Sequence, residues 1–380
     1  MKTVPRRWLV AASVLPAMLL ASCTVPTGPS PAPAPEPAPS KFSPANHVFD
    51  LEREGLKLLW AQELGQLTAN RSLRDIYAAG DFVVVEADQG ELHCIDARTG
   101  VWKAMAVLRN GLDRPPTAFG GRLYLVTESY LFSLDTNSGA LSKPYNPGFP
   151  LAAAPLLYKD SLILAGTNGY LAVLRIADLW QQWLASLNAP VFDQPVVVEP
   201  RLYASGRGRS VLAWDLSPGI NLELWRWTPL LPARISSGVA VYQDRLYVGD
   251  NRGFLYSLPT DGGEPTWKSM FEGPIVGRPL VVGSKLLFLT EKPSLVCIEA
   301  GGERQSLWHY SGAKEVLTVG RSAAYVLNED HSVAAVALDT GKELWRDPLP
   351  ADCKITGSAG RPAFYIADPQ GSVIAVQELD

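Results

Sequence analysis

Gly90-Glu91-Leu92-His93-Cys94-Ile95-Asp96 runs straight into Ala97-Arg98-Thr99-Gly100, a short apolar alternation closed by an acidic residue and a turn signal. The same frame returns as Ser129 to Asp135, Gly169 to Arg175, Arg209 to Asp215, Gly253 to Pro259, Pro293 to Glu299, His331 to Ala337 and Gly371 to Gln377. Its third position is Leu92, Leu131, Leu171, Val211, Leu255, Leu295, Val333 and Val373, so the steps are 39, 40, 40, 44, 40, 38 and 40 residues. Self-similarity at one period near forty residues marks a repeated supersecondary unit, stacked so that neighbours bury what one unit cannot.

Outward from that frame the order is constant. A second β-rich run precedes each copy, as in Phe82 to Val85, Arg122 to Val126, Arg245 to Val248 and Phe364 to Ile366. After it comes a turn, clearest at Arg98-Thr99-Gly100 and Asp339-Thr340-Gly341, and then a strand bearing tryptophan: Trp60, Trp102, Trp183, Trp225, Trp267, Trp308 and Trp345. In the remaining unit Leu141 is assigned to that place. An indole wedged between units buries a large apolar area and needs a fixed acceptor for its N–H, which suits a structural slot better than a series of ligand sites. Short strands, tight turns and this period predict an all-β, eight-bladed β-propeller. The last unit stops at Val376 without a tryptophan strand, while Leu56 to Trp60 supplies one with no unit before it. The N-terminal strand is therefore expected to complete the last blade, closing the ring and leaving no open edge there.

The repeats fill only part of the 380 residues. Residues 1–22 combine Lys2, Arg6 and Arg7 with an apolar stretch from Trp8 to Leu20, too short to span a bilayer comfortably, and read as an export signal. Leu20-Ala21-Ser22-Cys23 resembles a lipobox, which makes Cys23 the expected lipidated first residue of the mature chain. Residues 23–44 carry prolines at 26, 29, 31, 33, 35, 37, 39 and 44. A polyproline tract of this kind extends about 3.1 Å per residue, giving a spacer of up to ~60 Å ahead of a propeller at 45–380.

Function classes are narrowed by what is scarce. Loss of the leader leaves 31 of the 34 basic residues against 38 acidic ones, a net charge of about −7, with no Lys/Arg run; nucleic acid is set aside as a partner. The four histidines are scattered without metal-ligand spacing, and Gly206-Arg207-Gly208 and Gly120-Gly121 open no helix, so neither a transition-metal site nor a phosphate cradle is expected. Cys94 and Cys297 share a small-residue slot in distant units and are not expected to pair, which leaves Cys353 unpaired too. A glycosidase-type carboxylate pair is unsupported by the sequence. No catalytic residue and no cofactor are predicted.

The succession Gly-x-Leu/Val-x-Ala/Ser/Cys-Leu/Ile-Asp, Thr-Gly and Trp, as in Gly90 to Trp102 and His331 to Trp345, resembles the repeats of PQQ-type propellers. With the lipobox and eight units, the chain is similar to the BamB family of outer-membrane lipoproteins. The resemblance implies a non-catalytic scaffold facing the periplasm from the outer membrane, acting as a monomer within a complex. The partners it implies are the POTRA domains of the BamA barrel and unfolded outer-membrane proteins. Quinoprotein dehydrogenases share the repeat but hold PQQ against adjacent cysteines, and this chain has none. A third reading is a lipoprotein that binds a sugar, a peptide or another envelope protein.

In the BamB family the docking surface includes an apolar-x-apolar-Arg stretch and an Asp-x-Asp in the connections entering two adjacent middle blades. The matching connections here, Leu187 to Gln194 and Leu230 to Ser237, read LNAPVFDQ and LLPARISS and carry neither motif. The second nonetheless sets Leu230, Leu231 and Arg234 outside the strand frame. The two leucines either tuck beneath the neighbouring loop or stand out as anchors for a partner.

Overall fold

The computed structural model describes residues 51, 54–64, 72–127, 129–186, 191, 193–206, 210–217, 222–302, 305–358 and 360–379. All belong to one compact unit, Phe42–Asp380. Residues 1–50, with the leader, Cys23 and the spacer, lie outside the described residues.

The described strands form eight antiparallel sheets, seven of four strands and one of three. Blade 1 is the meander Leu73–Ala79, Phe82–Ala87, Glu91–Asp96 and Trp102–Val107, and the following blades repeat it in chain order. First strands line the inside of the ring, where Leu73–Ala79 touches both Arg114–Phe119 of blade 2 and Lys354–Gly357 of blade 8. Blade 8 takes Leu56–Glu63 as its outermost strand, paired with Ser372–Glu378 from Leu56↔Glu378 to Glu63↔Ser372. The ring is thus an eight-bladed propeller closed by its N-terminal strand.

The repeat frame is the third strand of each blade. Its third residue is buried in all eight copies, with no side chain from Leu92 to Val373 more than 1% exposed. The acidic seventh position has a separate task. Asp96 Oδ1 accepts from the N–H of Arg98 (3.1 Å), the N–H of Thr99 (2.9 Å) and the Thr99 hydroxyl (2.9 Å), and Asp135 does the same for Asn137 and Ser138. Partial burial pushes the Asp96 pKa up, but the Thr99 and Arg98 donors outweigh it and hold the carboxyl below its ordinary range. A depressed carboxylate stabilises the fold above its unfolded value, and that contribution is lost as pH falls through the lower folded value. Asp96→Ala is expected to lower the unfolding free energy by about 1 kcal/mol at neutral pH, and Asp96→Asn by less. The gap between Asp96→Ala and the parent should close in acid, which urea titrations at two pH values would show.

The tryptophan slots show how blades are joined. Trp60 of blade 8, Trp225 of blade 4 and Trp308 of blade 6 donate from Nε1 to the carbonyls of Ala97, Thr260 and Leu338 in the next blade, at 3.0, 3.0 and 2.9 Å. Each indole lies over the turn glycine of that blade: a Cβ on Gly100, Gly262 or Gly341 would come within 2.7 Å of a ring carbon. A tyrosine on the second strand of the same blade completes the slot, with Tyr365, Tyr203, Tyr247 and Tyr325 set 5.9–6.1 Å from Trp60, Trp225, Trp267 and Trp345 between ring centroids. Trp183 is half-buried against the core shared by blades 3 and 4.

Trp102 corrects the sequence assignment. In the other blades the slot residue faces the small fifth position of the frame, as Trp225 faces Ala213 and Trp345 faces Ala335. In blade 1 that partner of Cys94 is Ala104, while Trp102 pairs with Ile95 and is 48% exposed. Leu141 is misplaced in the same way: the bridges Leu134↔Leu141 and Leu131↔Tyr145 put Lys143 opposite Ser133. Pro144 and Pro147 interrupt this segment. Pro144 brings no N–H to the ladder, and the fourth strand of blade 2 is reduced to those bridges.

Candidate docking surface

The outer strand of blade 4, Leu222–Trp227, ends in an apolar run that reaches the first strand of blade 5, Ala240–Tyr242, through Thr228 to Val239. The second half of this connection is pinned. Arg234 and Asn251 exchange two hydrogen bonds, Arg234 N–H to Asn251 Oδ1 and Asn251 N–H to the Arg234 carbonyl, both 2.9 Å. Ile235 bridges Asp250 and is buried beside Ala233. The Ser236 hydroxyl donates to the Ile275 carbonyl at 2.7 Å, and Gly238 N–H to the Gly277 carbonyl at 2.9 Å, fastening the segment to blade 6.

The first half has no such cover. Leu230 is 88% and Leu231 79% exposed, the two largest values among the described large apolar side chains. Arg234 is exposed beside them, and no carboxylate among the described residues pairs with it. The structure therefore decides between the two sequence alternatives: these leucines do not tuck under a neighbour. Two bare leucines and an unpaired cation, held on a loop whose root is fixed, can bury apolar area and meet an acidic group with little ordering to be done.

The preceding connection, entering blade 4, lies alongside. Residues 187–190 and 192 are outside the described residues. Asp193 Oδ2 accepts from Arg278 Nε of blade 6 at 2.9 Å, and a Cβ on Gly238 would come 2.3 Å from that same oxygen. Arg278 Nη2 also donates to the Gln194 carbonyl, and Gln194 Nε2 donates to the Ala154 and Pro155 carbonyls of blade 3 at 3.1 and 2.9 Å. A polar belt thus ties blades 3 to 6 together where the connections meet. Asp193 is already engaged there, whereas Leu230, Leu231 and Arg234 have side chains that engage nothing among the described residues.

The buried cysteines and Glu86 are held within blade cores. Among the described residues no three His, Cys, Asp or Glu side chains gather closely enough to hold a metal ion. Cys94, Cys297 and Cys353 are free and buried, and burial pushes their thiols up to about 12, 12 and 11. Alkylation at pH 8 is expected to leave all three unlabelled in the native protein and to modify them on unfolding; rapid native labelling would contradict their burial. Glu86, also buried, is satisfied by Arg74 at 2.8 Å, the Tyr77 hydroxyl at 3.0 Å and the Leu112 N–H at 3.1 Å. Burial raises its pKa against those donors, which describes a core network in blade 1 and not a pair poised across a cleft.

Eight antiparallel units, seven of four strands and one of three, with a tryptophan lying over the next blade's turn glycine at three of the joints, define a propeller of the PQQ-like repeat class. A family model described as outer membrane protein assembly factor BamB matches residues 45–226 and 221–378, nearly all of the propeller, and the chain belongs to that family. The BamB of Shewanella oneidensis is 26% identical over 229 residues, 56% of this chain and 57% of that one. The chain spans about half the length, or less, of the first curated relatives it matches. The crystal structure of BamB from Moraxella catarrhalis superposes with a TM-score of 0.67 at 15% identity, covering 85% of this chain and 99% of that one. A quinohemoprotein alcohol dehydrogenase from Pseudomonas putida gives 0.63 at 11% identity over 86% and 76%, a likeness of fold alone.

Proposed function

We propose that the chain is a non-catalytic scaffold of the outer-membrane protein assembly machinery, made as residues 1–22 of signal, 23–44 of acylated Cys23 and spacer, and a propeller from 45 to 380. It is held on the periplasmic side of the outer membrane by lipid, and works as a monomer within a complex. Its partner is a POTRA-type periplasmic domain of the assembly barrel, and it supports insertion of unfolded outer-membrane β-barrels through protein contacts.

One observation carries the reading: in a chain of the BamB family, the connection entering blade 5 bears two leucines that are 88% and 79% exposed, on a root pinned to blades 5 and 6. Isolated exposed leucines are ordinary, but an apolar pair on a pinned root beside an exposed arginine is what an interface anchor requires. The test is co-purification of the mature chain with the periplasmic domains of an assembly barrel. Stable capture is expected, and its absence at micromolar concentrations would refute the assignment. Addition of PQQ and Ca²⁺ is expected to give no dye-linked alcohol oxidation.

A further inference from the structure

The slot that joins blade 2 to blade 3 lacks its tryptophan; Ile176 and Leu179 pack against the core around Tyr124, and a cavity opens to solvent beside them. Tyr124 takes the tyrosine position, pairing with Ser133 as Tyr203 pairs with Ala213, and is buried. Register gives the tryptophan position to Lys143, whose side chain is exposed. Across the gap, Ile176 stands five residues beyond Leu171, as the acceptors Ala97, Thr260 and Leu338 stand five beyond Leu92, Leu255 and Val333. No donor among the described residues reaches the Ile176 carbonyl. The cavity measures about 450 Å³, with Phe119, Tyr124 and Ser133 on one side, Ile176 and Leu179 on the other, and Arg122 and Asp178 at its mouth. That volume falls in the range of ordinary ligand sites.

Sister slots define what fits. In three of them an indole lies between the blades, its N–H on the carbonyl that Ile176 supplies here. Leu179, at φ +57°, takes the place of the turn glycine and packs with Ile176 against the core around Tyr124, so an incoming ring enters on the Phe119 and Arg122 side. Phe119 is 45% exposed at the rim. The charges at the mouth are unequal: Asp178 is held by Arg175, whereas among the described residues Arg122 meets only Asp135, at 3.5 Å and half in solvent. Such a pair is weak and leaves Arg122 available to an anion. The corresponding gap between blades 1 and 2 has Phe82 as its one large apolar side chain among Asp81, Asp96, Arg98, Lys103, Thr136 and Asn137, and is the more polar of the two.

From this geometry we infer that the gap between blades 2 and 3 is a binding site for an aromatic side chain of another polypeptide, a tryptophan beside an acidic residue fitting best. The ring lies in this cavity against Phe119, its N–H meets the Ile176 carbonyl, and the neighbouring carboxylate faces Arg122. The cavity opens beside the turns that join first to second and third to fourth strands, the opposite end of the blades from Leu230 and Leu231. The site therefore stands whether or not that loop docks a partner.

The experiment titrates the mature protein with acetyl-Asp-Trp-amide and acetyl-Asp-Leu-amide, read by saturation-transfer NMR on the peptide. Saturable binding is expected for the first, and binding at least roughly tenfold weaker for the second. Ala177→Trp fills the mouth from an exposed position, and the pair Lys143→Trp and Leu179→Gly rebuilds the internal slot. Both are expected to abolish binding while a cooperative thermal transition shows the fold intact. Equal binding of the leucine peptide, no saturable binding to the parent, or binding that survives in both variants would overturn the assignment.

Discussion

Trp60→Ala is expected to lower the unfolding free energy by about 3–5 kcal/mol, and Trp102→Ala by no more than about 0.5 kcal/mol. Trp60 is 8% exposed, donates to Ala97 in blade 1, and stacks on Tyr365 in blade 8. It sits on the strand that closes the ring, so its removal opens a cavity at the joint between the first and last blades. It also leaves the Ala97 carbonyl without its donor, beneath a glycine shaped to receive the ring. Trp102 has half its surface in solvent and lies two residues ahead of the slot. Urea titrations of the two variants measure the difference directly. Similar losses for both would mean that Trp102 is packed and that the register of blade 1 is wrong.

The second large effect is on association. Leu230→Ala, Leu231→Ala and Arg234→Glu combined are expected to weaken the partner complex at least about 30-fold, the change that follows from losing an interface anchor worth 2 kcal/mol or more. Stability should move by no more than about 0.5 kcal/mol, because no substituted side chain is buried. Met270→Asp, at a 71% exposed position on the outer strand of blade 5, serves as the control and should leave the complex unchanged. Affinity unchanged in the triple variant would remove this loop from the interface.

Most of the fold was legible because one strand of each unit is buried on both faces and so restricted to Leu or Val at its third position. Ring closure was legible from complementary ends, a tryptophan strand in excess at one and lacking at the other. The error at Trp102 has a plain cause. A tryptophan two residues from the slot keeps the alternating phase of a strand, and only its distance from the turn glycine betrays it. Gly100 precedes Trp102 by two residues, whereas Gly341 precedes Trp345 by four. Leu141 was misplaced by the same two residues, and this concealed the cavity between blades 2 and 3.

At the docking surface, composition singled out Leu230, Leu231 and Arg234 but not their exposure. Burial in a connection depends on what the next blades place above it: Ala233 and Ile235 are covered, while Leu230, Leu231 and Arg234 are bare. The Asp193–Arg278 pair was invisible to the sequence, since Asp193 lies in the connection entering blade 4 and Arg278 in the first strand of blade 6, 85 residues away. Its signal exists only in three dimensions, in Gly238, where a side chain would strike the Asp193 carboxylate.

The central claim is that this propeller works by protein contact through the connection entering blade 5. A photo-crosslinking amino acid placed at Leu231 of the full chain in living cells, with one at Met270 as reference, tests it most directly. Capture of the outer-membrane assembly barrel through position 231, and not through 270, is the predicted result. Capture of an inner-membrane or soluble protein through position 231, or no adduct there, would contradict it.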